Sequence, residues 1–142
     1  MYKGAFHLSM EHGQGYRRYG AARCEYSGGW QAGLRHGKGQ YLDRRTGASY
    51  NGEYVADRKH GQGEEHLPGI STKVGLWVDD LLNGYGRLIE YSPGTGEVAV
   101  DYKGSFVNDR FEGLGEYVQG DGVRYKGQFK DHCKHGKGLL ML

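Results

Sequence analysis

Histidine-glycine elements are the first residues in this sequence that suggest chemistry. A histidine followed by two glycines, with one residue between the glycines, occurs at His12, His36, His60 and His135. Glycines so arranged can cradle a phosphate group when they open a helix after a strand. Here no segment has a helical period, and the lysine and hydroxyl residue of a nucleotide-binding loop do not follow. A structural role therefore explains the pattern better than nucleotide binding.

Histidine and cysteine side chains also suggest a metal site. The four histidines would lie about 10 Å apart if each belongs to its own two-stranded unit, which is too far to share one ion. By contrast, His132, Cys133 and His135 are crowded in one loop and could supply two or three zinc ligands. A closed structural site needs four ligands, so this zinc site would require a second chain. We expect no metal in the chain itself, and histidines that pack against turns.

Catalytic chemistry has no candidate residues in the sequence. No nucleophile is accompanied by a base and an orienting acid, and no carboxylate pair is set in an apolar stretch. No fingerprint of a cofactor site is present either. We therefore expect a protein without catalytic residues, enzymatic activity or a cofactor.

Composition limits the classes of partner and location. The chain of 142 residues has 37% hydrophobic residues, but 27 glycines and 12 tyrosines. Its formal net charge of +2 gives no field that would favour nucleic acid, so no nucleic-acid partner is expected. The cysteines Cys24 and Cys133 lie far apart in the sequence, which favours a reducing, cytoplasmic compartment. No apolar stretch approaches the length of a membrane span.

The elements that position these residues are six copies of one pattern. Each copy has a first residue that is usually tyrosine, a glycine two residues later, and an aromatic residue two residues after that. Two further glycines follow eleven and thirteen residues from the start of the copy. The copies start near residues 2, 26, 50, 73, 102 and 125. Constant spacing within units, with insertions confined to the connections, is typical of repeat proteins.

The pattern resembles the MORN (membrane occupation and recognition nexus) repeat, roughly Tyr-x-Gly-x-Trp-x-x-Gly-x-x-His-Gly-x-Gly. The second and third copies, with Tyr26 and Tyr50 at their first positions, fit best. The fourth copy departs from the pattern at Lys73 and Asn83, and the fifth at Glu112. Residues 1–142 are thus interpreted as one array of six repeats, and we expect it to be a fragment of a longer array.

Each repeat is predicted to form a β-hairpin. Tyrosine, glycine and aromatic residue alternate with period two, which indicates a strand with these residues on one face. Residues that accept a left-handed conformation follow at one shared offset, namely Gly33, Asp57, Asp80 and Asp109. The second strand is expected to begin at the histidine-glycine element. The prediction is an all-β, elongated, single-layer array of six antiparallel β-hairpins, twisted into a trough on the order of 55–60 Å long.

Glycines and aromatic rings are expected to form the core together. If both second-strand glycines face the aromatic residues, they leave space in which rings lie flat on the backbone. Single hairpins are marginal, so the core must come from stacked neighbours. The predicted core residues are Tyr26, Trp30, Gly37, Gly39, Tyr50, Tyr54, Gly61, Gly63, Trp77, Tyr102, Phe106, Tyr125 and Phe129.

Basic residues in the first three repeats suggest an anionic partner. Several are in or beside turns, and we expect them to lie at one edge of successive hairpins. Such a ladder of cations could bind anionic lipid headgroups or an acidic protein, and the alternative is a solvated edge. The residues of this proposed surface are Arg44, Arg45, Arg58 and Lys59.

Exposed apolar residues in the C-terminal half suggest self-association. Val74, Leu76 and Val78 occupy strand positions that are polar in other repeats, and apolar patches on a polar face often mark interfaces. The last strand ends at Leu139, Leu140, Met141 and Leu142 without a charged or proline residue to protect its edge. We expect a two-fold homodimer formed through the C-terminal half, with the loop that contains Cys133 near the contact.

The resemblance implies a function in binding. It favours a non-enzymatic scaffold that mediates protein–protein interaction and self-association in a cytoskeletal or membrane-associated structure. The alternatives are a phosphoinositide- or anionic-lipid-binding module, or the repeat region of a larger enzyme. The expected location is the cytoplasm, at the cytoskeleton or at the cytoplasmic face of a membrane.

Overall fold

The chain forms one open antiparallel sheet in a computed structural model that describes residues 1–20 and 23–142. Its strands pair in sequence order from β1 to β12, so every strand contacts the strands before and after it in the chain. No described residue lies in an α-helix, and the prediction of an all-β hairpin array is confirmed. The strands are β1 (Tyr2–His7), β2 (Met10–Tyr19), β3 (Cys24–Gln31), β4 (Leu34–Asp43), β5 (Ser49–Val55), β6 (Arg58–Leu67), β7 (Ser71–Val78), β8 (Leu81–Tyr91), β9 (Val98–Val107), β10 (Arg110–Gln119), β11 (Arg124–Lys130) and β12 (Cys133–Met141).

Two-residue turns join the strands of each hairpin. Both turn residues have positive φ, for example 47° at Ala56 and 72° at Asp57, as in the type I′ turns that match the twist of a hairpin. Pairing therefore begins directly after the turn. As a result the second strands start two residues before the expected position, and His36 and His60 are the third residues of β4 and β6.

A row of glycines crosses the whole sheet. Gly28 pairs with Gly15 on one side and with Gly39 on the other, and the same pairing recurs in every repeat. A Cβ atom added at Gly28 would overlap the backbone of the neighbouring strand. The row consists of Gly4, Gly15, Gly28, Gly39, Gly52, Gly63, Gly75, Gly86, Gly104, Gly115, Gly127 and Gly138.

The tyrosine at the start of a repeat lies flat on this glycine row. A Cβ atom at Gly39 would overlap the ring and phenolic oxygen of Tyr26. The hydroxyl of Tyr26 donates a hydrogen bond to the carbonyl of Gly29 at 3.0 Å, and Tyr50 donates to Glu53 in the same way at 2.9 Å. Each tyrosine is thus fixed at both its face and its hydroxyl.

The other second-strand glycine has a different role from the one expected. Gly37 is exposed, and no atom would lie within 4 Å of a Cβ atom added there. At Gly61 the nearest side chain is the carboxylate of Glu53. The expectation that both glycines lie beneath rings is wrong, because the register shifts between Gly28 and Trp30. The bulge instead gives Gly37 a φ of +79°, a conformation that glycine adopts without steric cost.

Aromatic rings join neighbouring repeats edge to face. The ring of Tyr26 contacts Trp30 of its own repeat at 5.2 Å and Tyr54 of the next repeat at 5.3 Å between centroids. The indole nitrogen of Trp30 donates to the carbonyl of Gly15 in the preceding repeat at 3.1 Å. The nine aromatic residues of the predicted core are buried: Tyr26, Trp30, Tyr50, Tyr54, Trp77, Tyr102, Phe106, Tyr125 and Phe129.

Adding a methyl group at Gly37 and at Gly39 of β4 should lower the free energy of unfolding by different amounts. Gly39→Ala forces a Cβ atom into the ring of Tyr26, and we expect it to lower the free energy of unfolding by about 3 kcal/mol, the upper end of overpacking. Gly37→Ala meets open space and carries only the left-handed backbone penalty of about 1–2 kcal/mol. Urea unfolding of both variants tests this order, and equal costs would contradict the ring-on-glycine account.

Candidate interaction surfaces

The inner face of the sheet, which carries the aromatic rings, has charged residues in its first three repeats. In β2 the carboxylate of Glu11 pairs with Arg17 at 3.2 Å. In β6 the ammonium of Lys59 pairs with Glu65. In β4 the guanidinium of Arg35 lies 4.8 Å from the ring centroid of Tyr54. The inner face of this half is therefore filled by side chains that already have charged or aromatic partners.

Repeats four and five replace these charges with apolar side chains. Leu82 and Leu88 of β8 are buried in the core cluster. In β10, Phe111 and Tyr117 contact each other at 6.2 Å between ring centroids. The inner face thus changes from charged to apolar near repeat four.

Two grooves lie along this apolar half. One of about 490 Å³ is lined by Phe111, Tyr117 and Phe129 among others. The second, of about 730 Å³, is bordered at one end of the strands by Asp109 and His132 and at the other end by Tyr91 and Pro93. Glu90 and His132 border both grooves. Because residues from opposite ends of the strands line one groove, the sheet curls across its width into a trough.

Lys73 stands where the other repeats have tyrosine. Its ammonium lies 3.4 Å from the carboxylate of Asp109 in the next repeat. No tyrosine ring covers Gly86, and the atoms nearest to a Cβ atom added there would be the carbonyl oxygen of Val74, which it would overlap, and the ring of Phe106. The space that a tyrosine ring would fill at this position forms part of the larger groove, which Lys73 lines.

In repeats two to six the second residue of the hairpin turn fastens its repeat to the preceding one. Asp109 donates its backbone N–H to the carbonyl of Leu82 at 2.9 Å, and its carboxylate accepts the N–H of Leu82 at 2.8 Å. Asp57 does the same for Arg35. The turn aspartates are therefore acceptors between repeats as well as residues suited to a left-handed conformation.

His132 occupies the same turn position in repeat six. Its Nδ1 accepts the N–H of Phe111 at 3.0 Å. The rings of His132 and Phe111 pack edge to face, with 4.4 Å between their centroids. Cys133 is exposed at the start of β12. In residues 1–20 and 23–142 no three histidine, cysteine, aspartate or glutamate side chains are grouped to hold a metal ion, so His135 completes no site with these two residues. The shared offset with Asp57 and Asp109 could have identified the role of His132 from the sequence.

Arg44 and Arg45 follow β4 at the end of the strands where the repeats are connected. The guanidinium of Arg44 contacts Glu25 at 2.7 Å. That of Arg45 contacts Asp43 at 3.2 Å. Both cations have carboxylate partners within the chain.

Arg58 and Lys59 lie at the opposite end of the strands, directly after a hairpin turn. Arg58 is 3.9 Å from Asp79, and Lys59 lies 5.1 Å from the ring centroid of Trp77. The expectation that these residues form one ladder with Arg44 is wrong, because β6 separates the two ends by its ten residues, roughly 30 Å of strand.

The apolar residues of repeat four lie on the outer face, opposite the core. Val74, Leu76 and Val78 are exposed and alternate along β7 with residues that face the core. Tyr85 and Leu114 are also exposed and lie on the same outer face. The patch therefore extends beyond repeat four, and none of its members lines the inner trough.

The apolar residues of β12 are divided between the two faces. Leu140 pairs with Tyr125 on the inner face, whereas Leu139 and Met141 pair with Lys126 and Arg124 on the outer face. Leu142 follows the strand and is exposed. All of β12 is exposed.

The fold and the repeated tyrosine-on-glycine contacts define a β-hairpin repeat protein. A family model described as MORN repeat matches residues 26–44, 50–69, 74–89, 102–124 and 125–141, more than half of the chain. The chain belongs to the MORN repeat family. Proteins with such repeats often take part in protein or membrane interactions, and the family is generally non-enzymatic. A search of curated proteins found no match. Among residues 1–20 and 23–142, no helix has the length and apolar character to cross a membrane.

Repeat four should be stabilised by restoring its tyrosine. Lys73→Tyr can place a ring over Gly86 and a hydroxyl near the carbonyl of Leu76, as Tyr50 does at Glu53. We expect a gain of about 1 kcal/mol from ring packing, against a loss of about 0–1 kcal/mol for the partly buried ion pair with Asp109. The free energy of unfolding in urea measures the effect, and Lys73→Ala is the control. A tyrosine variant no more stable than the alanine variant would show that the ring is not accommodated.

Buried tyrosines should make the array sensitive to alkali. Burial raises the pKa of Tyr26 and of Tyr102 to about 12, and it also raises the pKa of Tyr50 and Tyr54. In the unfolded chain these groups ionise near 10, so the unfolded state loses protons first. Stability should be unaffected by these groups below about pH 10 and should fall between about pH 10 and 12.

Urea unfolding at several pH values checks this, with tyrosinate absorbance followed in parallel. The folded chain should release its buried phenolic protons together with unfolding, and the chain in urea should release them near its ordinary pKa. Stability that stays constant up to about pH 12 would contradict burial as the cause of the raised pKa values.

Proposed function

We propose that this protein is a non-enzymatic scaffold that binds protein partners and self-associates through its C-terminal half. The observation that carries the proposal is the group of exposed apolar residues at the end of β12, namely Leu139, Leu140 and Met141. Exposed apolar residues grouped on a surface often mark an interface.

The inner trough of repeats four to six supports protein binding. Its surface combines aromatic rings such as Phe111 and Tyr117 with the carboxylate of Glu90 and the ammonium of Lys134. A few polar groups at the border of an apolar groove are suited to orient a partner. The inner face of repeats one to three offers less, because Lys59 and Arg35 are occupied by partners in the chain.

Anionic-lipid binding has weaker support than protein binding. Its proposed cations lie at opposite ends of the strands, and each is within 4.0 Å of a carboxylate. Surface cations attract anionic membranes most strongly when they act together near one plane. The proposed setting is the cytoplasm, at the cytoskeleton or at a membrane surface reached through a protein partner.

Self-association should depend on the apolar end of β12. Light scattering of the chain at micromolar concentration should give at least twice its mass of 15.8 kDa. Leu140→Lys combined with Met141→Lys should reduce the mass to that of one chain, because the charges interrupt the exposed apolar residues of β12. Val55→Lys is a matched control, since Val55 is also exposed but lies in β5, outside the C-terminal half. An unmodified chain that stays monomeric would contradict self-association.

A further inference from the structure

The inner face of repeats two and three carries its own cations. Arg35 of β4 and Lys59 of β6 each lie opposite the fifth-position aromatic residue of their repeat. The guanidinium of Arg35 lies 4.8 Å from the ring centroid of Tyr54 and contacts the carboxylate of Asp57 at 2.6 Å. Lys59 likewise has an aromatic ring and a carboxylate as partners. A cation held between a ring and a carboxylate is therefore a recurring contact of this face.

Repeats four and five have apolar side chains at the positions of these cations. Leu82 lies opposite Trp77, and Phe111 lies opposite Phe106. The aromatic rings of the inner face are retained in these repeats, and so is a carboxylate, that of Glu90 in β8. The surroundings that bind a cation elsewhere in the array are thus present, whereas the two positions that supply the cation are apolar.

Glu90 is a carboxylate without a cationic partner. It borders both grooves of the inner trough. In the part of the chain that the structure describes, no lysine, arginine or histidine side chain lies within 4.0 Å of its oxygens. Asp109, which also lines the larger groove, differs in this respect because it pairs with Lys73 at 3.4 Å. Glu90 is therefore available to a cation from another molecule.

Aromatic side chains lie beside Glu90 in the smaller groove. Phe111 and Tyr117 line this groove with it. Burial and, to a lesser extent, the charge of Glu90 raise the pKa of the Tyr117 phenol. The ammonium of Lys134 borders the same groove, but it lies 5.6 Å from the ring centroid of Tyr117 and forms no ion pair with Glu90. The face of Tyr117 thus attracts a cation without neutralising the carboxylate.

The larger groove extends the apolar surface on the other side of Glu90. Its volume of about 730 Å³ is within the range of protein ligand sites. Leu67, Ile70, Leu88 and Pro93 contribute apolar walls, and Ile70 is 64% exposed. A segment that pairs with Glu90 could therefore bury apolar side chains on these walls.

We propose that the inner trough of repeats four and five binds a partner segment in which an arginine, flanked by apolar residues, pairs with Glu90. This inference rests on the proposed binding of protein partners and names the chemistry that the trough recognises. Arginine fits better than lysine, because its planar guanidinium makes two parallel hydrogen bonds to one carboxylate and also stacks on aromatic rings. An anionic lipid does not fit, since Glu90 repels its headgroup.

Random linear peptides displayed on phage and selected against the whole chain supply the probe. Enriched peptides should share an arginine between apolar residues. A labelled soluble peptide of an enriched sequence is then titrated with the chain, and binding is followed by fluorescence anisotropy. Glu90→Gln should weaken binding at least about tenfold, because a charge-assisted pair is lost. Glu116→Gln is the matched control, since Glu116 also lacks an ion pair but lies on the outer face with Leu114.

An exchange of charges separates pairing from any effect on folding. Glu90→Arg should abolish binding of the arginine peptide and should bind the same peptide with glutamate in place of its arginine. Glu90 is exposed, so both variants should remain folded, which thermal melts followed by circular dichroism check. Ile70→Ser removes an apolar side chain from the larger groove and should weaken binding of both peptides to their matching chains.

Other outcomes overturn the proposal in distinguishable ways. If enriched peptides lack arginine, or if Glu90→Gln binds as tightly as the unmodified chain, the arginine site fails. Weaker binding by Ile70→Ser in that case would leave the trough as a site for partners of another chemistry. If no displayed peptide binds the chain, both the arginine site and the proposed binding of protein partners by the trough fail.

Discussion

The contact of a tyrosine ring with a glycine backbone is the interaction on which the rest of the array depends. Tyr26 can lie flat only because Gly39 has no Cβ atom, and its hydroxyl reaches a backbone acceptor three residues along the chain. Fixed in this way, the ring presents its edges to Trp30 and Tyr54. A single layer of strands thus acquires a core without a second layer, because rings and backbone replace the aliphatic side chains of an ordinary globular domain.

Much of this architecture could be predicted because its signals are local and repeated. Period-two alternation identified the first strands, and the shared offset of Asp57 and Asp109 identified the turns. The role of Gly37 could not be predicted in the same way. Its position depends on a bulge between paired strands, and a bulge shifts register without leaving a distinctive residue pattern. The glycine beneath a ring, such as Gly39, and the glycine in open space, such as Gly37, both recur at a constant offset in every repeat. Spacing alone therefore does not distinguish them.

Surface properties were harder to predict because they depend on which groups meet across the sheet. Arg44 lies a few residues before β5, and Arg58 lies a few residues after it. The two cations are therefore at opposite ends of the strands. Arg44 is also neutralised by Glu25, which belongs to another strand. The sequence therefore shows how many cations a region contains, but it does not show whether they lie on one surface. The change of the inner face from charged to apolar is likewise evident only in the structure, where Lys59 and Leu82 occupy equivalent positions of their repeats.

The glycine row, which pairs in the same way in every repeat, has a consequence for how such proteins change in evolution. A duplicated repeat carries both halves of the contact with its neighbours, including the ring that packs on the tyrosine of the preceding repeat and the turn residue that fastens it. Duplication or loss of whole repeats therefore requires no compensating substitution elsewhere in the chain. Length can be altered one unit at a time, whereas a change within a unit, such as Lys73 in place of tyrosine, alters the local surface and leaves the count of units unchanged.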